Sequence, residues 1–150
     1  MVRDTFDPKK LQGLADQNVT VLVGYRSGIP HVNKDGSTGQ DTADLARLLS
    51  FGDAKIPARP HLEPGILQGR SQVSKAIEKH YQQLVETGKG NPDLVGAVAV
   101  GAVQEYVRGP YIRETVPNAP ATIAAKGSEQ PLIDIGDMVG ALNYYVEKAT

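Results

Sequence analysis

The sequence predicts a single mixed α+β domain: a small antiparallel sheet packed with two long helices and joined by long loops. Three observations carry this. Two stretches, Ile66–Thr87 and Leu94–Val107, set apolar residues at helical spacing behind clear start or stop signals. Two others, Val19–Tyr25 and Leu142–Glu147, have the β-branched or alternating pattern of short strands. The remainder is punctuated by many of the chain's 16 glycines and 10 prolines, and no repeat, low-complexity tract or linker divides the 150 residues.

A chain of this length buries roughly 68–70% of its unfolded surface without staples. The formal net charge of −1 and a pI near 6.3 supply no global field for nucleic acid or acidic membranes. With no cysteine, disulfides, thiolate zinc sites and cysteine nucleophiles are all excluded, which fits an intracellular chain. The start, MVRDTFDPKKLQ, has no apolar h-region, and no run approaches 18 apolar residues, so neither a signal peptide nor a membrane span is expected. Aromatic residues are 5% with no tryptophan, so the core is expected to be aliphatic and modest.

In chain order, Asp7-Pro8 opens a short helix, with Leu11, Leu14 and Ala15 on one face and Asn18 at its end. Val19–Tyr25 is the clearest strand; Val19, Val21 and Val23 share one face and Leu22 lies on the other, so both faces are expected to be covered. Arg26–Gln40 reads as a long loop with a turn signal at Asp35-Gly36 that suits a small hairpin. Asp41 or Thr38 then caps a helix through Leu49, with Leu45, Leu48 and Leu49 as its buried stripe.

From Ile66, the residues Val73, Ile77, Tyr81, Leu84 and Val85 form the apolar face of a long helix that Gly88–Gly90 ends, with Lys75, Glu78, Lys79 and Glu86 off that face. Asn91-Pro92-Asp93 starts the second long helix. Its Val/Gly content also permits a strand, but the start signal and length favour helix, with Leu94, Val98, Ala102 and Tyr106 as its stripe. Gly within a helix costs about 1 kcal/mol relative to Ala, so Gly96 and Gly101 suggest close packing. A short helix over Ala119–Lys126 closes at Gly127. Pro131–Asp134 reads as extended, Asp134 or Asp137 caps a turn at Met138–Ala141, and the Leu142–Glu147 strand is placed beside Val19–Tyr25.

Between the short helix that ends near Phe51–Gly52 and the long one from Ile66 lies LSFGDAKIPARPHLEPGI, Leu49–Ile66, with Pro57, Pro60 and Pro64 in eight residues. Proline fixes φ and pushes the preceding residue towards extended conformations, so Ile56, Ala58–Arg59 and Glu63 are expected to be extended. A stiff strap where a flexible link would serve suggests that something outside the local fold, such as another chain, uses its shape. Arg59, held between two prolines, loses little entropy on docking, and its planar fork suits a neighbour's carboxylate.

No catalytic, cofactor-binding or metal residue is assigned. His31, His61 and His80 have no ligand spacing, and no nucleophile elbow is present. Asp134-Ile135-Gly136-Asp137 is the one close carboxylate pair and reads first as a helix cap rather than a cation site. Gly88-Lys89-Gly90 fails the phosphate-loop pattern, because Gln83 and Gly90 stand where a glycine and a hydroxyl residue are required. Arg108, Arg113 and Lys126 read as a solvated basic face.

Two motifs resemble a known family. Phe51-Gly52, Ile56-Pro57-Ala58-Arg59-Pro60 and Leu62, followed much later by Lys126-Gly127-Ser128 and Pro131-Leu132-Ile133-Asp134 with Gly136, are similar to the tailed-bacteriophage neck or tail-completion proteins. These are small head–tail joining subunits, also described as virion morphogenesis proteins. The resemblance covers roughly Asp41–Glu147. Ser50 stands where the family commonly has glutamate, His61 where an aromatic residue is usual, Glu63 near a basic position and Ile135 in place of threonine.

The resemblance implies a non-enzymatic virion protein, made in the host cytoplasm and placed at the head–tail junction. Its expected partners are copies of itself, in a ring of about six or twelve with heterologous interfaces, and other neck, connector and tail proteins. It has no membrane partner, and a channel-lining loop could make non-specific contact with DNA. Phe51, Ile56, Pro57, Arg59, Pro60, His61 and Leu62 form the expected inter-subunit patch. Lys126, Pro131, Leu132, Asp134 and Gly136 form the C-terminal motif. A tail terminator capping the tail tube is the near alternative. From another class, a small metal- or nucleotide-binding enzyme would use the Arg26–Gln40 loop with Asp134 and Asp137.

Overall fold

The computed structural model describes residues 18–33, 35–132 and 137–148. The predicted helix at Asp7-Pro8 lies outside them, as do Asp134, Gly136 and any cap made by Asp134.

Val19–Tyr25 forms strand β1 and Leu142–Lys148 forms β4; they pair antiparallel from Val19 opposite Lys148 to Tyr25 opposite Leu142. The α+β expectation therefore holds, with two strands more than 100 residues apart in sequence meeting in one ribbon. Alternation turns Val19, Val21 and Val23 towards the helices and Thr20 and Leu22 outward. Leu22 is 44% exposed, so the second face of β1 is open, contrary to expectation. Pro30–Val32 (β2) and Thr38–Asp41 (β3) make a separate antiparallel hairpin around Asp35-Gly36, where the turn signal placed it.

Helix α1, Thr42–Phe51, begins at Asp41. One carboxylate oxygen of Asp41 accepts the N–H of Ala43 at 2.9 Å and of Asp44 at 3.4 Å, while the other accepts Gly28 N–H at 2.5 Å. Its own burial pushes this carboxyl up in pKa, but the backbone bonds from Gly28, Ala43, Asp44 and Ile29 outweigh that and hold it below the usual range. One side chain thus caps α1 and ties it to the loop after β1. Asp41→Ala is expected to lower the melting temperature by roughly 3–5 °C, and Asp41→Asn by less because it keeps an acceptor, measured by circular dichroism. The buried positions of α1 are Thr42 and Ala46; Leu45, Leu48 and Leu49 are only half-buried.

The long helix predicted from Ile66 starts earlier and is broken. Leu62–Gln68 forms α2 and Arg70–Thr87 forms α3, with Gly69 between them. Pro64 sits in the first turn of α2, where its missing N–H costs no helical bond, so Glu63 is helical rather than extended. Gly69 lies against Ala102, and a Cβ there would fall on the Ala102 methyl. The expected stripe is also turned: α3 buries Ala76, His80 and Leu84, whereas Ile77, Tyr81 and Val85 face solvent.

Pro92–Arg108 is one helix, α4, settled by the Asn91 side chain accepting Leu94 N–H at 3.1 Å and by Pro92 in its first turn. It buries Gly96, Ala99, Ala102, Val103, Tyr106 and Val107, a wider face than the predicted stripe. Gly96 meets the Tyr144 ring of β4, as close packing requires, but Gly101 faces open space. Pro110–Thr115 (α5, not foreseen), Pro120–Lys126 (α6) and Asp137–Ala141 (α7) follow. Pro131 and Leu132 form a turn, with Leu132 at φ 62°, where an extended run was expected. The core gathers Ala46, Val103, Val107, Ile112, Leu132 and Met138 around α4. Among the described residues, no helix is long and apolar enough to cross a membrane.

Candidate interaction surface

The strap after α1 is held from three directions. Gly52 ends the helix at φ 70°, and a Cβ there would come 2.5 Å from Ile56 O and 2.6 Å from Ala58 N, so only glycine lets the chain fold back so tightly. The Asp53 carboxylate accepts the N–H groups of Lys55 and Ile56, each at 2.7 Å, and Asp53 N–H donates to Ile56 O at 2.9 Å. Arg59 N–H returns to Leu49 O at 2.7 Å, stitching the strap to the last turn of α1. Ile56 consequently lies in a bend rather than an extended run.

Arg59 does not reach outward. It is 8% exposed; its Nε–H donates to Val116 O at 3.1 Å and its second guanidinium nitrogen to Pro117 O at 3.0 Å. The fork expected to meet a neighbour's carboxylate instead clasps the α5–α6 loop of its own chain. Two carbonyls at one bend present the geometry a planar donor pair matches, which is why arginine serves there.

His61 is fully buried within the subunit. Its Nδ1 faces the Arg59 carbonyl at 3.2 Å, and a carbonyl only accepts, so Nδ1 carries the proton. Nε2 then accepts from the Tyr25 hydroxyl at 3.0 Å. Ser50 Oγ lies 3.4 Å from the protonated Nδ1, so this serine–histidine contact has the wrong tautomer for removing the serine proton. Burial lowers the His61 pKa, partly offset by the Arg59 bond, and burial pushes the Tyr25 hydroxyl up. A histidine kept neutral in the fold stabilises fully above its ordinary pKa of 6.5, and that contribution declines as pH falls below it towards the folded value. Urea midpoints are therefore expected to drop between pH 7 and pH 5, with His61→Gln flattening the slope.

Phe51 is the opposite case. At the end of α1 it is 79% exposed. Next to it opens a hollow of about 360 Å³ lined by Tyr25, Ala46, Arg47 and Phe51, with exposed Pro60 and half-buried Leu62. A bare phenylalanine beside an apolar hollow on a doubly pinned backbone is a surface suited to another protein.

The C-terminal motif does different work. Pro131 and Leu132 are buried in the core, and Lys126 Nζ donates to Gln130 O at 3.4 Å. Gln130, which sequence reasoning passed over, donates through its side-chain amide to Val107 O at 2.5 Å and Gly109 O at 3.0 Å, closing the end of α4. These partners stand 23 and 21 residues away, so no local signal marks them. Arg108 and Arg113 are exposed. Among the described residues, no three His, Asp or Glu side chains gather as a metal site. No protein-family model, curated protein or solved structure matches the chain.

Proposed function

We propose that the chain is a structural subunit of a tailed-bacteriophage virion, a neck or tail-completion protein that assembles in a ring and joins the DNA-filled head to the tail. The motif pair Phe51–Leu62 and Lys126–Gly136 brings this reading. Phe51, presented bare at the pinned strap, is the observation that carries it into geometry. The two motifs have separate tasks in it: the first presents a contact surface, and Pro131 and Leu132 of the second build the core behind it. Arg59 and His61 contribute by holding the strap in shape from within, and Phe51, Pro57, Pro60 and Leu62 meet the neighbour. A tail terminator would form a ring by the same means; the site of the density in the particle separates the two.

Replacing Phe51 by aspartate tests the reading. The folded subunit is expected to keep its melting temperature within a few degrees, because the ring is mostly in water. Ring formation, read by sedimentation velocity, and joining of filled heads to tails are expected to fail. Undiminished joining by Phe51→Asp overturns the assignment of this surface.

A further inference from the structure

A ring whose subunits meet head to tail needs two unlike patches on each copy, one that enters and one that receives. Phe51 supplies the first, and α3 carries a match for the second. Ile77, Tyr81 and Val85 recur at successive turns of that helix and are 40%, 57% and 60% exposed. Ile77 and Tyr81 also line a groove of about 660 Å³ shared with Val21 and Val23 of β1. No residue lines both this groove and the hollow beside Phe51. Strand β1 gives Val19 to the groove and Tyr25 to the hollow, about 20 Å apart along an extended chain, so one copy can use both patches at once.

We propose that this groove is the receiving patch: the Phe51 ring of one copy seats between β1 and α3 of the next, against Ile77 and Tyr81. The groove's role rests on the ring assignment above, for which it names the second surface. Shape supports it. An exposed aromatic side chain whose backbone is pinned by Gly52 N–H on Leu48 O and Arg59 N–H on Leu49 O is a stiff knob, and such anchors bind by filling apolar pockets. One phenylalanine covers about 150–250 Å², against roughly 800 Å² per partner in a stable interface. The contact therefore extends along the stripe to Val85 and takes in Pro60 and Leu62 beside Phe51. Charge agrees as well. Exposed Arg47 lines the hollow with Phe51, and exposed Glu78 stands with Ile77, Tyr81 and Val85. The hollow's other charged residue is the acid Glu63, so the signs match in one orientation, with Arg47 turned to α3. A reciprocal contact of Phe51 with Phe51 would instead close a pair and leave the α3 stripe in water.

Tyr81→Asp, set beside Phe51→Asp, is the test. Each alone is expected to keep its melting temperature within a few degrees and to lose rings in sedimentation velocity. Mixed in equal amounts, the two are expected to give a species of two subunits and nothing larger, because one intact Phe51 and one intact groove remain between them. Rings that persist with Tyr81→Asp but not with Phe51→Asp overturn the groove's role and leave the ring assignment standing. Rings that survive both substitutions remove the two together. A benzophenone amino acid at position 51 of the otherwise unchanged chain decides independently of how Tyr81→Asp folds. On illumination it is expected to join one copy to residues 73–85 of another. Adducts between copies that fall elsewhere, or no adducts between copies, overturn the proposal.

Discussion

Arg59→Ala is expected to destabilise the subunit by about 3 kcal/mol, a fall of roughly 10 °C in melting temperature, without any change in its neighbours. The side chain is almost wholly buried, and both Val116 O and Pro117 O take their bonds from it. Truncation removes two charge-assisted bonds, leaves both carbonyls short of a donor and empties the space its methylene stem fills. Arg59→Lys keeps the stem and one donor but cannot bridge two carbonyls as a planar fork does, so about half the loss is expected to return. Urea denaturation with an unchanged m-value is the measurement. It also separates two roles for this residue. An arginine that docks on a neighbour would leave the monomer's stability intact and weaken assembly alone. An internal clasp loses both together, because the strap that carries Pro57 and Pro60 loosens when its anchor goes.

What could be read in the sequence was local. The β1 and β4 strands showed in their alternation, the hairpin in Asp35-Gly36, and α4 in Asn91-Pro92-Asp93 despite its glycines. What escaped depended on residues far along the chain. Position 69 takes no side chain because Ala102 occupies the space beside it, a fact no window around Gly69 contains. Pro64 reads equally as an extended-chain signal and as a first-turn residue; the packing of α2 on α4 decides for the helix. The stripe on α3 was recognised, but which of its residues are buried was not, since that depends on how α3 rolls against α4. The Tyr25–His61 bond joins residues 36 apart, and only the fold reveals that the strap's histidine is a neutral internal brace. The inward turn of Arg59 onto the α5–α6 loop escaped for the same reason: rigidity was legible, its direction was not.

Gly65→Ala sets two effects of opposite sign against each other. Alanine is the better helix former by about 1 kcal/mol, so propensity alone predicts a more stable α2. At this crossing, however, an added Cβ would sit 2.7 Å from Val103 Cα and 3.1 Å from its Cγ2. Val103 is completely buried at the centre of the core, so α4 cannot shift without disturbing the residues packed on its other side. Overpacking of a dense interior costs about 1–3 kcal/mol, more where backbone is the obstacle, and here it outweighs the propensity gain. The expected net is a loss of about 2 kcal/mol by chemical denaturation. Gly101→Ala provides the comparison within α4: nothing lies within 4 Å of its Cβ, so the same substitution is expected to stabilise by about 0.5–1 kcal/mol. Adding Val103→Ala to Gly65→Ala removes the 3.1 Å contact with Cγ2 but leaves the approaches to Cβ at 3.2 Å and Cα at 2.7 Å, so it cannot restore the parent's stability. Opposite signs at Gly65 and Gly101 would show that the backbones of α2 and α4 approach as closely at Gly65 as this fold has them. Matching gains at both sites would mean that the two helices stand further apart than this fold has them.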